Sequence, residues 1–196
     1  MSDPRIEKTK ARLRQALTEL LATESFEHIS VTDLCKVSGV TRITFYAYYT
    51  DKFALIAELY SNMFQKAAAI FEALQQKNNA DDAPVCACLN LLDAILEMQD
   101  QHRDFIARLS PEENAYLSFS YYWQVVRQAE QYSRRYVESL KPVHPLHMTT
   151  NLLCTGLWGF IRAGIAECRK PSEIQREAET LLESLLSDPS LFQHGA

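Results

Sequence analysis

Apolar residues return every three or four positions along almost the whole chain, and no segment alternates apolar and polar residues at every second position. The pattern predicts helices throughout. Asp3 and Pro4 suit the N-cap and first position of a helix whose apolar stripe is Ile6, Leu13, Leu17, Leu20 and Leu21. Ser30 and Asp33 have capping-box spacing, so a second helix starts at Val31 with Val31, Leu34, Cys35 and Ser38 on one face. Gly39 can take the positive φ that ends it. Thr41 then caps a third helix anchored inward by Val40 and Phe45. Thr50 or Asp51 opens a long fourth helix carrying Phe53, Ile56, Leu59, Tyr60, Met63, Phe64, Ala67, Ile70, Phe71 and Leu74 at helical spacing.

The polar run Gln75 to Ala83 reads as a loop. A fifth helix follows over Pro84 to Gln99, and a short sixth near Gln101 to Leu109. Ser110-Pro111-Glu112-Glu113 has the form of a capping box with Pro at the first helical position, so a seventh helix begins there. Its expected stripe is Ala115, Phe119, Tyr122, Val126, Ala129, Tyr136 and Leu140, and Pro142 and Pro145 stop it. Leu146 to Glu167 is apolar on nearly every side and should therefore be buried on every side. Pro171 to Leu186 completes an all-α chain of about nine helices.

Composition narrows the class. A chain of 196 residues with 47% hydrophobic and 23% charged residues has the make-up of a soluble globular protein. Only 5 Gly and 7 Pro argue against a loop-rich or all-β fold. No apolar run reaches membrane-spanning length, and the charged start lacks a signal-peptide core, so no membrane partner and a cytoplasmic location are expected. The five cysteines show no pairing pattern and read as reduced thiols, small and buried. His144 and His147 flank Pro145 and read as exposed or capping residues. There is no phosphate loop, zinc-binding His pair or nucleophile elbow, so neither an enzyme nor a metal or cofactor is expected.

The net charge of −5 is unevenly placed. Residues 1–52 hold eight cations (Arg5, Lys8, Lys10, Arg12, Arg14, Lys36, Arg42 and Lys52) against seven acids, a net of +1, so the remainder carries −6. Five of those cations fall between Arg5 and Arg14, a local basic patch. The third helix directs Arg42, Ile43, Thr44, Tyr46 and Tyr48 outward. A cation, an apolar wedge, a hydroxyl and two phenols on one face suit base edges and phosphates.

The stretch resembles the DNA-binding domain of the tetracycline-repressor-like (TetR) family of bacterial transcription regulators. The matching elements are the amphipathic first helix, Ser25-Phe26, Ile29-Ser30-Val31, Leu34-Cys35, Ser38-Gly39-Val40-Thr41, Thr44-Phe45-Tyr46-Ala47-Tyr48-Tyr49 and Asp51-Lys52, over roughly the first 60 residues. The chain departs from the family's pattern at Ile43, where a small residue is usual, and at Phe53, where an acid is usual.

The resemblance implies a helix-turn-helix domain over 1–52 and a helical regulatory domain over 53–196. On this reading Arg42 meets guanine O6 and N7, and Ile43 packs on a thymine methyl. Thr44, Tyr46, Tyr48 and Lys52 grip phosphates, with Thr32 and the Arg5 to Arg14 cations as further backbone contacts. A homodimer through helices 8 and 9, where Gly156, Gly159 and Ala163 permit close approach, would read a palindromic double-stranded operator. The family further implies a small-molecule effector, of unknown identity, that releases a repressor from DNA. Met98, Phe105, Tyr116, Phe119, Tyr122, Trp123, Arg127 and Trp158 are the groups expected to line its pocket. The alternative is a helical protein-interaction module that keeps the fold without binding DNA.

Overall fold

The computed structural model describes residues 3–110 and 113–193, and among these it contains nine helices. They are α1 (Pro4–Leu20), α2 (Val31–Ser38), α3 (Arg42–Tyr48), α4 (Lys52–Asn78), α5 (Pro84–Gln101), α6 (Arg103–Ile106), α7 (Ala115–Ser139), α8 (Leu146–Ala166) and α9 (Pro171–Leu186). No described helix is long and apolar enough to cross a membrane. The chain packs as two compact units, Met1–Met63 with Gln101–Tyr122, and Phe64–Asp100 with Trp123–Ala196. The first unit thus takes in the start of α4 and residues 101–122 besides the 1–52 expected of it.

In the first unit, the local signals become local structure. Asp3 accepts from Arg5 N at 2.9 Å and Pro4 opens α1. Ser30 and Asp33 cap each other reciprocally, at 3.2 Å for Asp33 N to Ser30 Oγ and 3.0 Å for Ser30 N to Asp33 Oδ2. Gly39 ends α2 in the left-handed region with φ 63°. Thr41 Oγ1 accepts from Thr44 N at 3.1 Å, and Asp51 Oδ1 accepts from Ala54 N at 2.8 Å. The first three helices close over Leu13, Leu17, Leu34 and Phe45, all fully buried. Glu58 on α4 ties α1 to this core, taking Lys10 Nζ at 2.6 Å, Arg14 Nη1 at 3.0 Å and the Tyr49 hydroxyl at 3.0 Å. Burial alone would raise the Glu58 carboxyl, but the Lys10 and Tyr49 hydrogen bonds and the two cations hold it below the usual carboxylate range.

In the second unit, α8 packs on α9, and the core gathers Leu91, Val137, Leu153, Ile161, Ala178 and Leu182 with Phe192 from the C-terminal segment. Gly164 lies hard against Ile174: a Cβ there would meet Ile174 Cγ1 at 2.9 Å. Phe192 is held by short antiparallel pairing, Val143 N to Leu191 O at 2.8 Å and Gln193 N to Lys141 O at 2.9 Å.

Five expectations need correcting. Gln75 to Asn78 continue α4 and do not begin a loop, because buried Asn90 gives these amides partners: its Nδ2 donates to Gln75 Oε1 at 2.6 Å and Asn78 Oδ1 at 2.8 Å. Asn79 then makes the turn, accepting from Ala83 N at 2.8 Å. The seventh helix starts at Ala115. Ser110 Oγ does accept from Glu113 N at 3.0 Å, whereas Pro111 and Glu112 lie outside the described residues. Its first half buries Leu117, Ser118, Tyr121 and Val125 and exposes Ala115 and Phe119; with aromatics on several faces, spacing alone could not phase it. Finally, α8 is not covered all round. Leu153, Leu157 and Ile161 are buried, but Met148, Leu152, Gly156, Gly159, Ala163 and Ile165 are exposed in the single chain. The thiols also differ from uniform burial: Cys168, just past α8 at φ 55°, is exposed.

Candidate nucleic-acid interface

The third helix has only seven residues, so its own hydrogen bonds cannot hold it and packing must. Phe45 is fully buried beneath it, Val40 and Tyr49 flank it, and Tyr49 is fixed through its hydroxyl to Glu58. Burial, then the hydrogen bond to Glu58, pushes the Tyr49 phenol up, so it stays neutral. The opposite face is open. Ile43 is 87% exposed, Arg42 is exposed, and Tyr46 is 50% exposed with its ring edge-on to Phe45 at 5.5 Å. Thr44 and Tyr48 are half-buried, with Thr44 Oγ1 2.9 Å from Thr41 Oγ1. Thr32 is exposed on α2. A guanidinium, a branched apolar side chain, a hydroxyl and a phenol thus project from one short rigid helix, the chemistry needed for base edges and phosphates.

Lys52 has partners within the protein. Its Nζ donates to the carbonyls of Phe26 at 2.7 Å, Glu27 at 2.9 Å and Ile29 at 2.8 Å, and lies 4.7 Å from the centre of the Phe26 ring. An ammonium has three donors, and all three are used. Lys52 is therefore a clamp on the turn between α1 and α2, and a phosphate would have to compete with three carbonyls for it. Phe53 and Tyr116 complete the collar: Tyr116 stacks on Phe26 at 5.8 Å, and Phe53 meets both rings edge-on at 5.4 and 5.2 Å. Sequence reasoning missed this clamp, as its acceptors are backbone carbonyls that no residue pattern marks.

The eight residues expected around an effector do not come together in one unit. Phe105, Tyr116, Phe119 and Tyr122 belong to the first, and Met98, Trp123, Arg127 and Trp158 to the second. Met98 and Phe105 are core; Tyr122 and Trp158 are half-buried; Tyr116, Phe119, Trp123 and Arg127 are exposed. A cleft of about 600 Å³ in the second unit lies instead between the end of α4 and the later part of α7. Phe71, Gln75, Asn79, Tyr132, Arg135 and Tyr136 are among its lining residues, and none of the eight is. There Asp82 Oδ1 accepts from Arg135 Nη2 at 3.0 Å and from the Tyr136 hydroxyl at 3.0 Å.

No family model matches the chain. Over 72 residues it is 33% identical to the HTH-type transcriptional regulator EthR of Mycolicibacterium smegmatis, a match covering 37% of this chain. The chain spans only a third of that relative's length. Among solved structures, a TetR-family transcriptional regulator from Syntrophomonas wolfei superimposes with a TM-score of 0.74 at 13% identity, covering 93% of this chain and 96% of that one. A TetR transcriptional regulator from Streptococcus agalactiae gives 0.61 at 21% identity, covering 91% and 95%. The chain has the all-α fold of TetR-type regulators.

Proposed function

We propose that this chain is a sequence-specific DNA-binding transcription regulator of TetR type, acting as a homodimer on a palindromic operator in the cytoplasm and responding as a repressor to a small molecule. The observation that carries the reading is the exposed face of α3: Arg42 and the 87% exposed Ile43 project from a helix anchored beneath by Phe45. A branched apolar side chain left in water beside a guanidinium gains nothing for the free protein, but it fits a thymine methyl next to a guanine. Thr32, Thr44, Tyr46 and Tyr48 are assigned to the phosphates around it.

Dimerisation is supported by α8. Its uncovered stripe of Met148, Leu152, Gly156, Gly159 and Ala163 runs at helical spacing, and a Cβ at Gly156 or Gly159 would meet nothing within 4 Å. Bare backbone on an apolar face lets a second helix approach closely, and a two-fold partner doubles the base pairs read. Together with α9 this forms the proposed interface.

Selection of bound sites from random duplex DNA with the full chain, followed by footprinting, tests the reading. An inverted repeat with half-sites about one helical turn apart is expected. Recovery of no preferred sequence would overturn it.

A further inference from the structure

Three of the eight cations in residues 1–52 are committed within the protein. Lys10 and Arg14 hold Glu58, Arg14 also holds Glu7 at 2.5 Å, and Lys52 holds three carbonyls. A phosphate could engage any of them only by breaking those bonds. Arg12 differs. It is exposed on α1, and among the described residues no acid pairs with it.

Its guanidinium is nonetheless placed. It lies across Gly39, where a Cβ would fall 2.6 Å from Arg12 Nη2. Glycine at this position accepts φ 63°, and the end of the Arg12 side chain lies over it. The next exposed residues along the chain are Thr41, Arg42 and Ile43, so the free cation stands at the entrance to the helix that presents the base-reading side chains. A planar guanidinium matches two phosphate oxygens and carries no base preference.

We infer that Arg12, lying across Gly39 beside the turn into α3, contacts the DNA backbone and positions α3 in the groove. The inference rests on the DNA-binding reading above. It singles out, from the Arg5 to Arg14 cations, the one that lies beside the turn into α3.

The test compares full-length wild type with Arg12→Gln, Arg12→Lys and Lys52→Met, on the selected operator and on random duplex of equal length, across a series of KCl concentrations. Arg12→Gln should lose affinity for both DNAs by the same factor, about tenfold at 0.1 M salt, and lower the salt slope by about one. Its melting temperature should stay at the wild-type value. Arg12→Lys should restore the slope. Lys52→Met should melt earlier and keep the wild-type slope. A wild-type slope for Arg12→Gln, or a fall in its melting temperature matching that of Lys52→Met, would overturn the inference while leaving DNA binding intact. Wild-type protein whose binding to duplex ignores salt would instead overturn the DNA-binding reading, and this inference with it.

Discussion

The backbone N–H of Phe26 donates to Asn114 Oδ1 at 2.6 Å, joining residues 88 positions apart in a buried site. The other end of the Asn114 amide donates to Arg108 O at 3.0 Å, so one side chain fastens the turn after α1 to the segment before α7. Asn114→Ala leaves an N–H and a carbonyl unmet in the interior. Chemical denaturation should show a loss of about 1–3 kcal/mol with unchanged slope against denaturant. Wild-type stability would mean that the pair contributes nothing.

On the proposed function, base reading should be separable from backbone gripping. Arg42→Ala should cost about 1–3 kcal/mol on the operator and much less on random duplex, relaxing preference at one base pair of each half-site. Competition binding with operators varied at each position measures this. Equal losses on both DNAs would place Arg42 on the phosphates.

Gly159 and Gly164, five residues apart on α8, should respond oppositely to substitution. Gly159→Arg puts a charge on the uncovered stripe where nothing lies within 4 Å, so the variant should fold and sediment as a monomer. Gly164→Ala drives a methyl to 2.9 Å from Ile174 Cγ1 and should destabilise the fold by about 1–3 kcal/mol. Thermal melts and sedimentation velocity on the two variants give the contrast. A dimeric Gly159→Arg would remove α8 from the proposed interface.

Two carboxyls predict pH dependences of opposite sign. The Glu58 carboxyl is held below its ordinary value of 4.5, so its contribution is complete above pH 4.5 and lost as pH falls through the lowered value. Burial, then the hydrogen bond with Asp93, raises the Glu179 carboxyl above 4.5, so stability declines as pH rises from 4.5 through the raised value. Glu58→Gln should therefore lower the melting temperature at neutral pH and flatten the acid limb. Glu179→Gln should raise it at neutral pH and leave it unchanged near pH 3. Melts from pH 3 to pH 8 check both signs.

Much of the fold was legible where a signal is local. Ser30 with Asp33, Gly39, Thr41 and the α9 span Pro171–Leu186 all stand where capping and turn rules put them. The exposure of Arg42, Ile43 and Tyr46 on α3 was legible for the same reason, since Val40 and Phe45 fix the phase of so short a helix, whereas Thr44 and Tyr48 are half-buried. What was illegible depended on distant partners. The polar stretch from Gln75 reads as loop until Asn90, fifteen residues on, supplies its hydrogen bonds. Lys52 reads as a free cation until the carbonyls of Phe26, Glu27 and Ile29 fold back around it. Aromatic residues recurring on several sides of α7 gave no phase, so Ala115 and Phe119, expected in its buried stripe, are exposed.

The fastening of Phe26 to Asn114 also bears on synthesis. A nascent chain that has released its first three helices still lacks the amide that secures the turn between the first two and the Tyr116 ring that covers it. The unit that carries α3 should therefore mature only after residue 116 clears the ribosome exit tunnel, and a fragment cut at residue 52 should be a loosened version of the same bundle.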